Sequence, residues 1–531
     1  MLGTRLSRSF WPSLASLSRA RRRHQPQHSR PQSTSTPPST EQRVNNPSSF
    51  IHDQFAQSAW FVIDVYKRGL KYSLLGICAL GITGWTAFEA THMWVENVEL
   101  ARELDDDVRL WEWDRDAEKW SGGERGGTDP ALGFKGRHAA RGAWIAENWM
   151  DGSGATVITP DAASGRAQLG LGQSDAIEKR LQLALIHITA ALQVAENTLA
   201  SGKLRPQTVD ELLARHATIL EHIGTKDALF EARSQYERLW PSRVGKEPDA
   251  AHLALKLGDL NFRLGDHEDA LAWWTRAIGI TQGSQHQSST ISHSVPSSPS
   301  AQRTLASTLV SLSAYYSTTG QLKQAQQVQE SALALLRSIP SPPTIAAASP
   351  PQMLHSLYIL HRSSLISIHL AEVFYALRSP RNFPVEYLKR AAESSERVAF
   401  TLCRPSVVNE GALGLNAARP PPSEACLVPV LIKSRSMHKP AKSLLRDARR
   451  AAAEAWNLLG ILSEGKKDGD MERALQCYER ALGWAGATDN AAGAAKQAGE
   501  GILEAEWKIL WANYVRAREA VRAQEKQSDA K

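Results

Sequence analysis

The sequence has few cysteines, and none of them forms a closely spaced pair. Among its 531 residues there is no CxxC motif and no cysteine–histidine spacing of the kind that zinc ligands show. The pattern argues against a structural zinc site and against a disulfide framework. The four cysteines are Cys78, Cys403, Cys426 and Cys477, of which Cys403 and Cys426 form the one disulfide pairing that stays open.

Motifs of catalysis are missing as well, since GxSxG, HExxH and the protein-kinase signature do not occur. The glycine-rich stretch WSGGERGGTDPALGFKGRHAARGAW at 120–144 looks at first like a phosphate-binding loop. A Walker loop, however, needs a hydroxyl residue directly after its lysine, and none follows Lys135. The pattern GxGxxG is absent from this stretch too. We therefore predict that it shapes the chain, and that the protein is non-enzymatic, without metal or cofactor.

Acidic residues are absent from the first 40 positions, which carry seven arginines. These arginines equal the whole net charge of +7, so the rest of the chain is neutral and nothing favours nucleic-acid binding. Leucine and phenylalanine recur in this leader at helical spacing, at Leu2, Leu6, Phe10, Leu14 and Leu17. The composition predicts a mitochondrial presequence over 1–40, with a disordered basic tail as the alternative.

A charge-free run follows at 72–88, after a spacer and matrix-side segment at 41–71. Its 17 residues, YSLLGICALGITGWTAF, span about 25 Å as a helix, the short end for crossing a membrane. Basic residues precede the run and acidic residues dominate after it. This asymmetry predicts one transmembrane helix, with the N-terminus in the matrix and the body in the intermembrane space. The alternative is a buried helix of a soluble protein.

Tryptophan and glycine are concentrated in the juxtamembrane segment that we assign to 89–175. Glycines permit tight turns and tryptophans supply apolar surface, so we expect this segment to dock on the helical body or on a partner. The candidate docking residues are Trp144 and Trp149. His138 lies between two arginines with no carboxylate partner in view, and we interpret it as structural rather than as a catalytic base.

From 176 to 490 the sequence predicts an all-α helical-repeat array. Small and aromatic residues match the 34-residue tetratricopeptide template in three places, 251–281, 306–337 and 453–485. The last match places Trp456, Leu459, Gly460, Ala474 and Tyr478 at template positions. Loops are expected at 283–302, 338–351 and 404–446, and a capping helix and tail at 491–531.

The first helix of each repeat lines the groove of such an array, and its outward positions define a candidate peptide site. The alternative is that these side chains pack against the loops. The candidates are His252, Leu255, Asp259, Phe262, Arg263, Glu454, Asn457 and Ile461.

The order of presequence, single span and repeats resembles that of fungal mitochondrial inner-membrane tetratricopeptide proteins, the family of the adaptor subunit of the yeast i-AAA protease supercomplex. The resemblance implies an adaptor that binds unfolded membrane proteins and passes them to AAA protease subunits at the inner membrane. One alternative is an assembly factor for a respiratory-chain complex. Another is an import receptor or chaperone co-factor, although Leu255 and Asp259 stand where such receptors carry the lysine and asparagine of a carboxylate clamp.

Overall fold

A computed structural model describes residues 47–149, 172–283, 294–344, 347–403, 426–465, 470–486 and 504–529. Within these ranges the elements are helices, and the only strand-like pairing is an isolated antiparallel bridge between Ala101 and Gly126. The predicted all-α helical-repeat fold is therefore confirmed. The predicted presequence at 1–40 lies outside the described residues.

The chain divides into two units, residues up to Thr83 and residues from Gly84, and helix α1 (Pro47–Trp94) contributes to both. A π-helical turn, Val95–Glu99, ends it. By length and composition two helical stretches could cross a membrane: Ser58–Glu99, whose apolar window is 0% buried, and Lys179–Ala200, whose window is 28% buried.

The second unit begins with short helices and continues as a stack of helix pairs. The short helices are α2 (Asp106–Leu110) and α3 (Trp113–Asp116), and the first paired helices are α4 (Gly133–Asn148) and α5 (Gly172–Ala200). Helix α5 contains Lys179–Ala200 and packs on α4 with Ala184, Ile188 and Ala191 fully buried, as a core helix does.

Five further pairs follow, each made of an inner and an outer helix. They are α6 (Pro206–Ile223) with α7 (Lys226–Arg243), α8 (Glu247–Leu264) with α9 (His267–Gln282), α10 (Pro299–Thr318) with α11 (Leu322–Ser338), α12 (Pro350–Ala376) with α13 (Asn382–Cys403), and, after the short α14 (Pro429–Lys433), α15 (Arg435–Glu464) with α16 (Met471–Trp484). Helix α17 (Glu504–Asp529) packs on α16 at the end of the stack.

Local sequence signals set the ends of these helices. Gly224 and Gly265 end α6 and α8 in the left-handed conformation, with φ of 72° and 93°, which glycine adopts without steric cost. Thr225 then caps α7, because its side chain accepts a hydrogen bond from the backbone of Ala228. At the ends of α6 and α8 the chain therefore turns sharply towards the outer helix of the same pair.

Close approach between paired helices depends on glycine at one template position. A Cβ placed on Gly258 would lie 2.5 Å from the Trp274 ring, and one on Gly460 would lie 2.5 Å from the Tyr478 ring. Ala270 and Ala474 on the outer helices are also fully buried. The sequence-based register of these two repeats therefore agrees with the packing.

Two of the expected loops are shorter than the sequence suggests. Residues 299–302 belong to α10, and 435–446 belong to α15, where Pro440 lies inside the helix. Pro440 obscured the helical pattern, yet α15 buries Met437, Ala441 and Leu444 along one side, and that burial favours helix over loop. Residues 404–425, and the 491–503 part of the expected cap, lie outside the described ranges.

We predict that Gly460→Ala lowers the free energy of unfolding by about 1–3 kcal/mol, because its methyl group overpacks the Tyr478 contact. Urea unfolding of the purified full-length protein in detergent measures the change. Gly483→Ala in α16 is the matched control: its Cβ meets nothing within 4 Å. Because alanine favours helix over glycine by roughly 0.5–1 kcal/mol, the control should be neutral or stabilised. Equal effects of the two substitutions would contradict the close approach.

Candidate functional site

A loop with a closed stem precedes the array, and we call residues 101–126 the groove loop. Ala101 and Gly126 form the antiparallel bridge, and the Gly127 nitrogen donates to the Leu100 carbonyl at 2.5 Å. A Cβ on Gly126 would lie 2.4 Å from the backbone nitrogen of Arg102. The glycines therefore let two backbone segments meet at the stem.

The same stretch fixes the end of the long helix to α4. Glu96 accepts hydrogen bonds from the Thr128 nitrogen at 2.9 Å, the Thr128 hydroxyl at 2.7 Å and Arg137 Nη2 at 3.2 Å. A Cβ on Gly127 would lie 2.6 Å from the Glu96 carboxylate. The glycine-rich stretch at 120–144 thus allows the chain to pack closely at this point.

His138 has a carboxylate partner that local sequence did not suggest. Its Nε2 lies 3.1 Å from Glu89 Oε1, and its Nδ1 lies 3.0 Å from the Phe134 carbonyl. Glu89 is far from His138 in sequence, and helix packing brings the two together. The expectation that His138 lacks a carboxylate partner is therefore wrong, while its contacts join α4 to the preceding helix.

Between the two sides of the stem, the groove loop lies against the inner helices of the array, and Arg303 of α10 is its main polar anchor. The Arg303 Nε donates to Asp116 at 2.6 Å, and its Nη1 and Nη2 donate to the carbonyls of Trp111 and Glu112, both at 3.1 Å. The guanidinium is 3% exposed. A buried arginine with these partners holds one helical turn of the loop in a fixed orientation.

Glu118 is the second anchor, and it joins α6 to α15. Arg215 of α6 lies 2.9 Å from one carboxylate oxygen, and Lys439 of α15 donates to the other at 2.7 Å. Burial alone would raise the pKa of Glu118, but these two cations outweigh it and hold the pKa at about 2. Because α6 and α15 belong to the first and last pairs of the five, the stack must curve around this carboxylate.

Two tryptophans bracket these ion pairs. Trp113 is 2% exposed, donates from Nε1 to the Pro351 carbonyl at 3.0 Å, and lies under the Arg303 guanidinium at 3.9 Å. Trp120 is 3% exposed and lies 5.7 Å from the Arg215 guanidinium. The groove loop therefore presents two acids between two indoles to the inner helices.

Five inner helices contact residues 111–120. Besides α6, α10 and α15, they are α8, whose Asp249 lies 3.8 Å from Arg115, and α12, whose Pro351 carbonyl accepts from Trp113. A segment of ten residues can touch five successive helices only on the side toward which they converge. Residues 111–120 thus occupy part of the concave groove.

The groove candidates of the 251–281 repeat do not all face the groove. His252 lines a cavity beside the loop, and Arg263 is exposed. Asp259 is half-buried and accepts from Trp274 Nε1 at 3.0 Å and Ser311 Oγ at 2.8 Å. Leu255 and Phe262 pack among aromatic side chains between neighbouring repeats, which corrects their assignment as open groove positions.

The remaining candidates also divide. Glu454 and Ile461 on α15 are exposed, whereas Asn457 is buried and accepts a 2.9 Å hydrogen bond from Asn513 of α17, so it is not an open groove residue. Trp144 packs partly against the core, and the exposed Trp149 meets it edge to face at 5.7 Å.

The inner helices α12 and α15 carry carboxylates whose pKa values are raised. Burial, together with the neighbouring Glu454, raises the pKa of Glu372 to about 7, and burial raises the pKa of Asp447. Further negative charge is unfavourable near these two side chains. Within the described ranges, no cluster of three or more His, Cys, Asp or Glu side chains has a metal-site arrangement.

The basic residues of the site were missed by sequence reasoning. Arg303 lies next to a stretch assigned to a loop, Lys439 lies inside another, and Arg215 lies outside the three repeats that match the template. The available signal was the acidic, tryptophan-rich run at 105–120, in a chain whose residues 41–531 carry no net charge as a whole. A run of this charge is expected to lie close to basic side chains.

The tetratricopeptide repeat family profile matches residues 453–488, which correspond to the end of α15 and the whole of α16. The chain therefore contains a tetratricopeptide repeat. The tetratricopeptide match falls on the pair in which Gly460 meets Tyr478, and the other pairs stack on it with the same inner–outer arrangement. The search of curated proteins found no match to the chain.

We predict that Glu118→Gln lowers the free energy of unfolding by about 1–3 kcal/mol, because Arg215 loses its charged acceptor. The pKa of Glu118 is depressed, so the stabilisation is full above the carboxyl's unfolded pKa and is lost as pH falls towards 2. Urea unfolding at neutral and acidic pH measures both effects. Glu124→Gln, an exposed substitution in the same loop, is the control and should change little. A wild-type-like Glu118→Gln at neutral pH would contradict the anchor.

Proposed function

We propose that this protein is a non-enzymatic, membrane-anchored tetratricopeptide scaffold of the mitochondrial inner membrane, with its body in the intermembrane space. In this proposal it acts as a substrate adaptor in membrane-protein quality control of the i-AAA protease type. The observation that carries the coarser statement, a protein-interaction scaffold, is the curved stack of helix pairs with a groove lined by charged side chains.

Support for the anchor comes from the first long helix. Its apolar window is entirely exposed, and side chains such as Leu74, Ile77 and Leu80 have no protein neighbours to cover them. A surface of this kind is unfavourable in water and favourable in lipid. The charge difference between the two flanks supports the proposed orientation.

Support for a role in presenting membrane-proximal protein segments comes from the clamp at Glu96. The end of the long helix is bonded to α4 through Glu96 and Arg137, and Arg141 donates to the His92 carbonyl at 3.3 Å. These contacts lie within the second unit and hold residues 92–96, which follow the proposed membrane span, to α4.

We predict that the body is protected from protease in intact mitochondria and digested in mitoplasts. The expected reason is that residues after 88 face the intermembrane space. Immunoblotting of a C-terminal tag after protease treatment measures this. A matrix protein serves as the control for inner-membrane integrity. Digestion in intact mitochondria, or protection in both preparations, would overturn the topology.

We also predict that partners contact the inner helices. A photo-crosslinking amino acid at His252, which is exposed beside the loop, should capture partner proteins in mitochondria. The matched control is Glu330, exposed on the outer helix α11, where capture should be much weaker. Mass spectrometry then identifies the partner.

AAA protease subunits or unfolded membrane proteins among the captured species would favour the adaptor. Subunits of a respiratory complex would instead favour an assembly factor, and cytosolic chaperones an import receptor. Equal capture at His252 and Glu330 would contradict recognition through the groove.

A further inference from the structure

We propose that the basic part of the groove, formed by Arg215, Arg303 and Lys439, is a binding site for an extended acidic segment with flanking tryptophans, and that the groove loop occupies it as an internal competitor. The partner is thus a protein segment with the chemistry of residues 113–120, and it binds by displacing them. The proposal deepens the scaffold function by naming the class of segment that the groove recognises.

The internal ligand defines the recognition pattern. Its side chains follow the order Trp-x-x-Asp-x-Glu-x-Trp, read from Trp113, Asp116, Glu118 and Trp120. Each of the four meets a basic group: the two acids pair with Arg303, Arg215 and Lys439, and each indole lies near a guanidinium. Charge-assisted pairs and cation–π contacts of this kind select sequence as well as charge.

The bound loop is strained at both of its ends. Glu112 has a φ of 54° and Ser121 a φ of 81°, a left-handed conformation that non-glycine residues seldom adopt. These two positions bracket the residues that enter the groove. Strain at the two points of entry opposes docking of the loop, and an untethered segment of the same chemistry would bind without it.

The loop also leaves space unfilled. A cavity of about 150 Å³ lies between residues 115–119 and the helices α6 and α8, with Arg243, His252 and Lys256 in its wall. The pocket is open to solvent on one side, where the exposed His252 lies. The groove can therefore accommodate side chains that the short residues of the loop, such as Ala117, do not supply.

The stem makes release of the loop compatible with an intact fold. The Ala101–Gly126 bridge and the Gly127–Leu100 hydrogen bond lie outside the groove contacts. Opening residues 111–121 does not break the two stem contacts or the Glu96 clamp, whereas it takes Trp113 and Trp120 out of the hydrophobic core, where an incoming segment has to replace them. The loop then acts as a tethered competitor, whose effective concentration is in the millimolar range for a short flexible connection.

The test uses the purified full-length protein in detergent and a fluorescein-labelled peptide with the sequence of residues 108–121. The loop variant Asp116→Asn/Glu118→Gln weakens the internal ligand and leaves the groove unchanged. We expect this variant to bind the peptide at least about tenfold more tightly than the wild type, measured by fluorescence anisotropy, because the competitor is weakened. Adding Arg303→Gln should abolish the gain. A peptide with the same two neutralising changes should bind weakly to every variant.

Circular dichroism and thermal melting check that the loop variant is folded. If it is not, hydrogen exchange on the wild type decides: the peptide at about millimolar concentration should speed exchange in 111–120 and leave 453–485 unchanged. No gain in affinity by a folded loop variant, or a gain that survives Arg303→Gln, would overturn the proposal. So would unchanged exchange in 111–120 where the loop variant fails to fold. These outcomes are independent of partner capture in mitochondria, so failure of the adaptor function and failure of this site are distinguishable.

Discussion

The close contact of an inner helix with an aromatic ring on its outer partner is the constraint on which the rest of the structure depends. At Gly258 and Gly460 there is no space for a methyl group. This close approach occurs in two of the five pairs, α8 with α9 and α15 with α16, and the stacking of successive pairs curves the array. The curvature brings Arg215 of α6 and Lys439 of α15, which belong to pairs far apart in the stack, to the single carboxylate of Glu118.

Buried charge fixes the register of this stack in two places. In the groove, Arg303 pairs with Asp116 of the loop. In the last repeats, Glu396 of α13 is fully buried and accepts from Trp456 Nε1 at 2.7 Å and from Arg480 Nη2 at 2.5 Å. Ion pairs of this kind contribute little net stability, but an incorrect packing would leave an unpaired charge buried. Their main effect here is to select one arrangement of helices and loop.

The segment from Val95 to Arg137 combines two roles that are separate in space. Its glycines close the stem and the Glu96 clamp, where backbone segments meet more closely than a side chain would permit. Its acids and tryptophans, at 111–120, enter the groove between the two sides of the stem. In the proposed competition the stem stays closed while the strained, polar part of the loop leaves the groove, and the connection to the long helix is kept. This separation is the structural basis for the proposed competition.

The sequence by itself determined the helical repeats, because small and aromatic residues at template spacing act within one helix pair. It also indicated that the glycines at 120–144 shape the chain. Only the tertiary structure decided which side chains form the site. Leu255 and Asn457 are covered by neighbouring helices, and Pro440 masked the helix that carries Lys439. The ion pairs of the groove join residues far apart in the chain, and their meeting depends on the accumulated curvature of the stack, which no local pattern encodes.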